Sequence, residues 1–130
     1  MMTVMSDSAP RLADQDLAVL VDEWLDWDAA GEVLQVTPAK VRTMVRDHQL
    51  AAAVPAPGRG QMVPALFIDD EGLPVKGLPG LLTLMHDSGF DDRECIAWIF
   101  LDAELPGRPI DALRENRGTE VKRRAQALAF

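Results

Sequence analysis

A single cysteine, Cys95, in 130 residues excludes an internal disulfide framework and a cysteine-rich zinc site. Set in the apolar run Cys95-Ile96-Ala97-Trp98, it reads as a small core residue. Long hydrophobic runs are also missing. No stretch approaches the ~20 apolar residues that span a bilayer, and the first residues lack a basic-then-apolar signal pattern, so a cytoplasmic location with no membrane partner is expected. Histidine is scarce too. His48 and His86 are the only two, and neither has a metal-ligand spacing, so no metal and no cofactor is expected. His86-Asp87 reads as a charge effect near a helix end. The nucleophile elbow, the P-loop and the dinucleotide fingerprint are all absent, and no enzyme is expected. Gly58-Arg59-Gly60 is too short for a phosphate loop and suits a hairpin tip.

Positive charge is in deficit, with a net −8, the wrong sign for a nucleic-acid partner if spread evenly. It is not spread evenly. Residues 1–35 hold eight acids and one arginine, and residues 69–104 hold nine acids and two bases. Residues 36–68, by contrast, hold Lys40, Arg42, Arg46 and Arg59 against Asp47, and residues 105–130 hold six bases against three acids. The acidic remainder weakens non-specific attraction to a phosphate backbone.

Hydrophobic residues make up 48% of the chain, enough for one compact core or two small subdomains. Residues 1–14 lack periodic apolar positions and read as a flexible tail. Leu17, Leu20, Val21, Trp24 and Leu25 make a helical stripe, predicting a helix over 15–25 with Asp22 and Glu23 solvated. Asp28 suits the N-cap of a second short helix that buries Ala30, Val33 and Leu34. Thr37-Pro38 is a strong start signal, a capping hydroxyl followed by a proline where its missing N–H is harmless. The helix that follows, roughly 38–47, buries Val41, Met44 and Val45. At 100° per residue it turns Ala39, Thr43 and Arg46 outward, with Arg42 flanking them. Two short helices joined by a three-residue turn form a helix-turn-helix. Extended runs at 50–54 and 61–68, joined by a Gly/Pro loop, predict a two-stranded wing with Pro64 at an edge.

Asp69-Asp70-Glu71-Gly72 lacks the spacing of a calcium loop and reads as a solvated turn. Leu78-Pro79 opens a helix ending at Ser88-Gly89, and Asp91 caps another. Ile110 begins a short helix, and Val121, Ala125 and Leu128 mark a last one. Its Lys122, Arg123 and Arg124 form either a phosphate patch or a complement to the helix dipole. The expected organisation is a tail at 1–14, a winged helix-turn-helix unit over 15–68 and a helical C-terminal domain over 69–130. The fold class is mainly α with a small β-hairpin.

The segments Val36-Thr37-Pro38-Ala39-Lys40-Val41, Asp47-His48-Gln49-Leu50 and Val63-Pro64-Ala65-Leu66-Phe67 resemble the winged helix-turn-helix of a small actinobacterial, mycobacterial-type DNA-binding protein family. More specific are Val75-Lys76-Gly77-Leu78-Pro79-Gly80-Leu81-Leu82-Thr83 with His86-Asp87, and Arg108-Pro109-Ile110-Asp111-Ala112-Leu113 with Arg123-Arg124-Ala125-Gln126-Ala127. The likeness runs from about residue 28 to the end. Residues 17–25 and the wing loop depart from the family pattern. The resemblance implies double-stranded DNA as partner, no cofactor, and phosphorylation of the N-terminal tail by a Ser/Thr protein kinase, with Thr3 the candidate.

On this reading Ala39, Arg42, Thr43 and Arg46 face base edges in a major groove, Thr37 and Lys40 touch phosphate, and Arg59 reaches out from the wing tip. The expected function is a transcription regulator, homodimeric through the helices after Leu78. The rival is a protein-interaction module, because the stretch Arg108 to Leu113 is also similar to the toxin-binding domain of some bacterial antitoxins.

Overall fold

In the computed structural model, residues 12–101 and 107–129 are described. Seven α-helices are found among them: α1 Leu17–Leu20, α2 Trp27–Leu34, α3 Pro38–Arg46, α4 Leu78–Asp87, α5 Asp92–Phe100, α6 Pro109–Arg114 and α7 Gly118–Ala129. Two short strands, β1 Trp24–Leu25 and β2 Val63–Pro64, pair antiparallel, with Trp24 opposite Pro64 and Leu25 opposite Val63. A mainly helical chain with a small antiparallel sheet is the expected class, consistent with a winged-helix-like fold.

Local chemistry starts most helices. The Asp16 carboxylate accepts from the Ala18 N–H at 3.1 Å, and Asp26 from Ala29 at 2.8 Å. Thr37 Oγ1 accepts from Lys40 at 3.1 Å with Pro38 in the first turn. Asp91 and Glu94 form a reciprocal capping box at 2.8 and 3.0 Å. Each cap satisfies backbone donors that the helix itself leaves unpaired.

The pair α2–α3 turns on one glycine. Gln35 adopts the left-handed conformation at φ 60°, and the Val36 N–H donates to the Gly31 carbonyl at 2.9 Å. This folds the turn back onto α2 so closely that a Cβ on Gly31 would stand 2.7 Å from the Val36 carbonyl oxygen. Only glycine admits that approach without a backbone shift.

Several expectations are corrected. The helix predicted over 15–25 is a single turn, Leu17–Leu20, after which Val21 is extended and Trp24–Leu25 becomes a strand. Leu17 and Val21 still point into the core. Beyond them, pairing with β2 and the Ala65 N–H bonded to the Glu23 carbonyl at 2.9 Å override the helical pattern. Asp26, not Asp28, caps α2, and Gly31 takes the buried place expected of Val33, which is 45% exposed.

The wing is also reduced. Residues 50–54 and 61–68 are joined by one reciprocal pair, Ala53 with Met62 at 3.0 and 2.8 Å, while Ala65–Phe67 form a 3-10 turn. Pro55, Pro57 and Pro64 have no N–H to extend the ladder. Leu50, Ala51, Ala52 and Ala53 are all buried, a run rather than an alternation. Leu12–Asp14, placed by sequence in the tail, form a 3-10 turn held by the Arg93 guanidinium, which donates to the Leu12 and Gln15 carbonyls at 3.4 and 2.7 Å.

One hydrophobic cluster runs from Leu17 to Ala125 and includes Leu34, Val41, Phe67, Leu82, Ile96 and Val121. The Phe67 and Phe100 rings meet at 5.6 Å, setting the 3-10 turn after β2 against α5. Around this core, arginines clamp distant segments. Arg114 Nη1 donates to the Leu66 and Ile68 carbonyls at 2.8 and 3.0 Å. Arg108 donates to Asp111 at 3.0 Å and to Asp22 at 2.5 Å, tying the approach to β1 to the start of α6. These bonds make the Arg108 guanidinium still harder to deprotonate, Asp111 contributing most and Asp22 next. The Arg108 hydrogen bond in turn holds the Asp111 carboxyl below its ordinary range.

Gly31→Ala should destabilise the chain by about 1–3 kcal/mol in urea titration, the usual cost of forcing atoms into a close contact. Gly60→Ala, at a position with open space around it, is the control and should change little. The depressed Asp111 carboxyl gives a second expectation. Its contribution to stability is fully present above the unfolded carboxylate pKa, about 4, and is lost as the pH falls through the lower folded value. Asp111→Asn should therefore flatten the acid limb of a thermal-melt series; an unchanged limb would show that the clamp carries no such linkage.

Candidate nucleic-acid interface

Helix α3 turns Val41 and Met44 into the core, with Val45 partly buried beside them. Ala39, Lys40, Arg42 and Arg46 are exposed on the other side, and Thr37 is exposed at its start. The structure thus gathers six of the seven residues proposed from sequence on one short helix and its cap. Arg59 stands on a separate element, the loop before β2, where its Nη2 makes a weak contact with Met62 Sδ at 3.3 Å.

The side chains differ in what they have to offer. The Thr37 hydroxyl oxygen is engaged as the cap. Thr43 is half-buried, and its hydroxyl donates to the Ala39 carbonyl at 3.2 Å, one turn back. The Arg42 guanidinium lies over the Trp27 ring at 5.7 Å, a cation–π contact that steadies it against the start of α2. Arg46 approaches Asp47 at 3.8 Å with both side chains well exposed, 75% and 56%. Such an exposed pair is worth little and opens readily for another anion. Thr3, the phosphorylation candidate, lies outside the described residues.

The second basic segment falls in the middle of α7. Lys122 and Arg123 are exposed, Val121 and Ala125 are buried, and the last turn of the helix holds no base. Complementing the helix dipole therefore does not account for these charges, because that effect is confined to the terminal turn.

Sequence spacing assigned no joint role to His48, His86 and Asp92, yet the fold brings them together. The two imidazoles stack with centroids 4.0 Å apart and planes 20° from parallel. His86 Nε2 lies 2.6 Å from Asp92 Oδ1, a partner that the charge-effect reading of His86-Asp87 did not include. Asp92 Oδ2 accepts from the Ala52 N–H at 3.1 Å. One donor atom from each of the three side chains lies within 4.8 Å of the others, a set able to hold a metal ion. No local pattern signals this group, since each residue comes from a different stretch of chain.

Cys95 is fully buried on α5. Burial, then the charges of Asp92, Asp91 and Glu94, push its thiol up to about 12. It stays protonated and acts as a small apolar side chain. The acidic turn is held largely by its own backbone, with Asp70 also 3.7 Å from Arg114. Asp69 Oδ1 accepts from the Glu71 and Leu73 N–H groups at 2.9 and 3.1 Å, which occupies that oxygen with backbone donors.

The comparisons with known proteins bear on most of the chain. A family model described as the Rv2175c C-terminal domain of unknown function matches residues 75–129. Over 118 residues the chain is 37% identical to the DNA-binding protein Rv2175c of Mycobacterium tuberculosis, a match covering 81% of this chain and 80% of that relative. The chain belongs to the Rv2175c family. The NMR structure of Rv2175c has a TM-score of 0.73 at 35% identity, covering 84% of this chain and 82% of that one. The matched Rv2175c C-terminal domain contains α4 to α7, and so His86, Asp92 and the Arg108 clamp, while α3 and His48 precede it.

Proposed function

We propose that this protein binds double-stranded DNA through α3, as a sequence-reading regulator of transcription. The observation that carries the reading is the exposed face of α3, which presents Ala39, Lys40, Arg42 and Arg46 to solvent in an otherwise acidic chain. The name of the Mycobacterium tuberculosis relative, a DNA-binding protein, supports it. With its side chains an α-helix is about 10–12 Å across, which fits a major groove about 12 Å wide, and the nine residues of α3 give it more than two turns to lie there.

Within this reading Arg46 and Arg42 contact base edges, guanine O6 and N7 by preference, and Ala39 lies against a thymine methyl. Lys40 and Thr37 meet phosphate beside the groove, and Arg59 approaches the backbone from the wing loop. Thr43 contributes chiefly its methyl group, because its hydroxyl is bonded to its own helix. The basic stretch of α7 is a second phosphate contact. The reading has no catalytic step.

The rival module reading is weakened by where its motif sits. Pro109, Ile110, Ala112 and Leu113 are buried, and Arg108 and Asp111 are committed to the clamp on Asp22. A segment used this way has little left to offer a partner.

Arg42→Ala and Arg46→Ala should each weaken binding to the selected site by about 1–3 kcal/mol in gel-shift titrations and relax its sequence preference. Lys40→Ala should weaken all sequences alike and lower the salt dependence. Retention of full affinity by the folded Arg42→Ala/Arg46→Ala double variant would remove α3 from the interface.

Dimerisation through the C-terminal helices completes the reading, since paired half-sites give one small helix its specificity. Genomic fragments retrieved at physiological salt should then carry inverted half-sites about one helical turn apart. Single half-sites, with a monomer on DNA by light scattering, would refute the dimer.

A further inference from the structure

We infer that His48, His86 and Asp92 form a zinc-binding site at the joint between the end of α3 and the C-terminal helices. The donors are two imidazole nitrogens and one carboxylate oxygen, the set that favours zinc and its first-row neighbours over calcium or magnesium. They come from three separate places: the residue pair after α3, the last turn of α4 and the first turn of α5. In a tetrahedral zinc site with bonds of about 2.0–2.1 Å, neighbouring donor atoms lie about 3.3 Å apart. Here the donors fall on both sides of that spacing, from 2.6 Å between His86 and Asp92 up to a limit of 4.8 Å. Reaching it requires the two stacked imidazoles to turn apart, because nearly parallel rings do not aim their nitrogens at one point.

Three further features fit an ion at this place. His48 Nδ1 is buried with no hydrogen-bond partner among the described residues, a deficit that calls for a missing partner. The second oxygen of Asp92 is fixed by the Ala52 N–H, an outer contact of the kind that orients a ligating carboxylate. His86 and Asp92 keep 20% and 24% side-chain exposure, which leaves solvent a path to the fourth coordination position. His48 itself adopts the left-handed backbone at φ 64°, which fixes the direction in which its Cβ leaves the chain.

Zinc needs both imidazoles neutral, so binding releases protons and weakens in acid. The bound ion would join α3 to α4 and α5 directly. This inference is independent of the DNA reading, and its test uses no nucleic acid.

The untagged full chain, stripped with chelator, is titrated with zinc chloride by calorimetry and melted with and without the metal. One equivalent should bind, and the melting temperature should rise. His48→Asn keeps a residue that tolerates the left-handed backbone, and His86→Gln keeps a polar side chain of similar reach. Each should weaken zinc binding at least about 10- to 100-fold, the range lost with even an outer partner, and cancel the thermal shift while leaving the circular dichroism unchanged. Two results would overturn the proposal: no uptake by the wild-type chain at stoichiometric zinc, or equal uptake by the wild type and both folded variants.

Discussion

The packing of Gly31 against the turn that follows it governs how α3 is presented. With the Val36 N–H bonded to the Gly31 carbonyl and no room there for a Cβ, α2 and α3 are locked at one mutual angle. That angle puts Val41 and Met44 under cover and leaves Ala39, Lys40, Arg42 and Arg46 outside. The Arg42–Trp27 contact then depends on the same geometry, because the ring sits on α2 and the guanidinium on α3. A polar face is held out by a backbone contact, and the side chains on it need supply none of the folding energy.

The halves on either side of α3 are bound to each other by more than shared hydrophobic burial. Arg93 holds the segment before α1, Arg108 holds Asp22, and Arg114 holds the carbonyls that follow β2. All three lie after α3, and two of them, Arg93 and Arg108, reach back to the segments before it. Their charges are committed to carboxylates and carbonyls, so the positive residues at the surface of α3 matter more than the chain's total would suggest. A carbonyl-bound guanidinium is a structural strut, and it is the free ones that an anion meets.

Local chemistry was legible in the sequence and long-range pairing was not. Thr37-Pro38 and Asp91 announce helix starts through bonds that span three residues, and both appear as read, while the return bond from Glu94 to Asp91 was not read. The outward face of α3 follows from helical geometry alone once that start is known. Residues 17–25 failed for the opposite reason: their apolar spacing fits a helix, but their partner in β2 lies some 40 residues onward and no local signal announces it. Val33 and Gly31 exchanged places because hydrophobicity marks a buried position, whereas a close backbone approach is invisible in composition. The His48–His86–Asp92 group escaped for the same cause as β1, since its members meet only through the tertiary fold.

The loop between Ala53 and Met62 is closed by a single reciprocal pair of hydrogen bonds, and a Cβ added at Gly58 or Gly60 would meet nothing within 4 Å. Insertions there would meet no neighbour, and doubling such a loop costs only about 0.6 kcal/mol in closure entropy. Evolution can therefore lengthen, shorten or recharge this tip without disturbing the body that carries it. The tip is a segment free to change while the core keeps its shape.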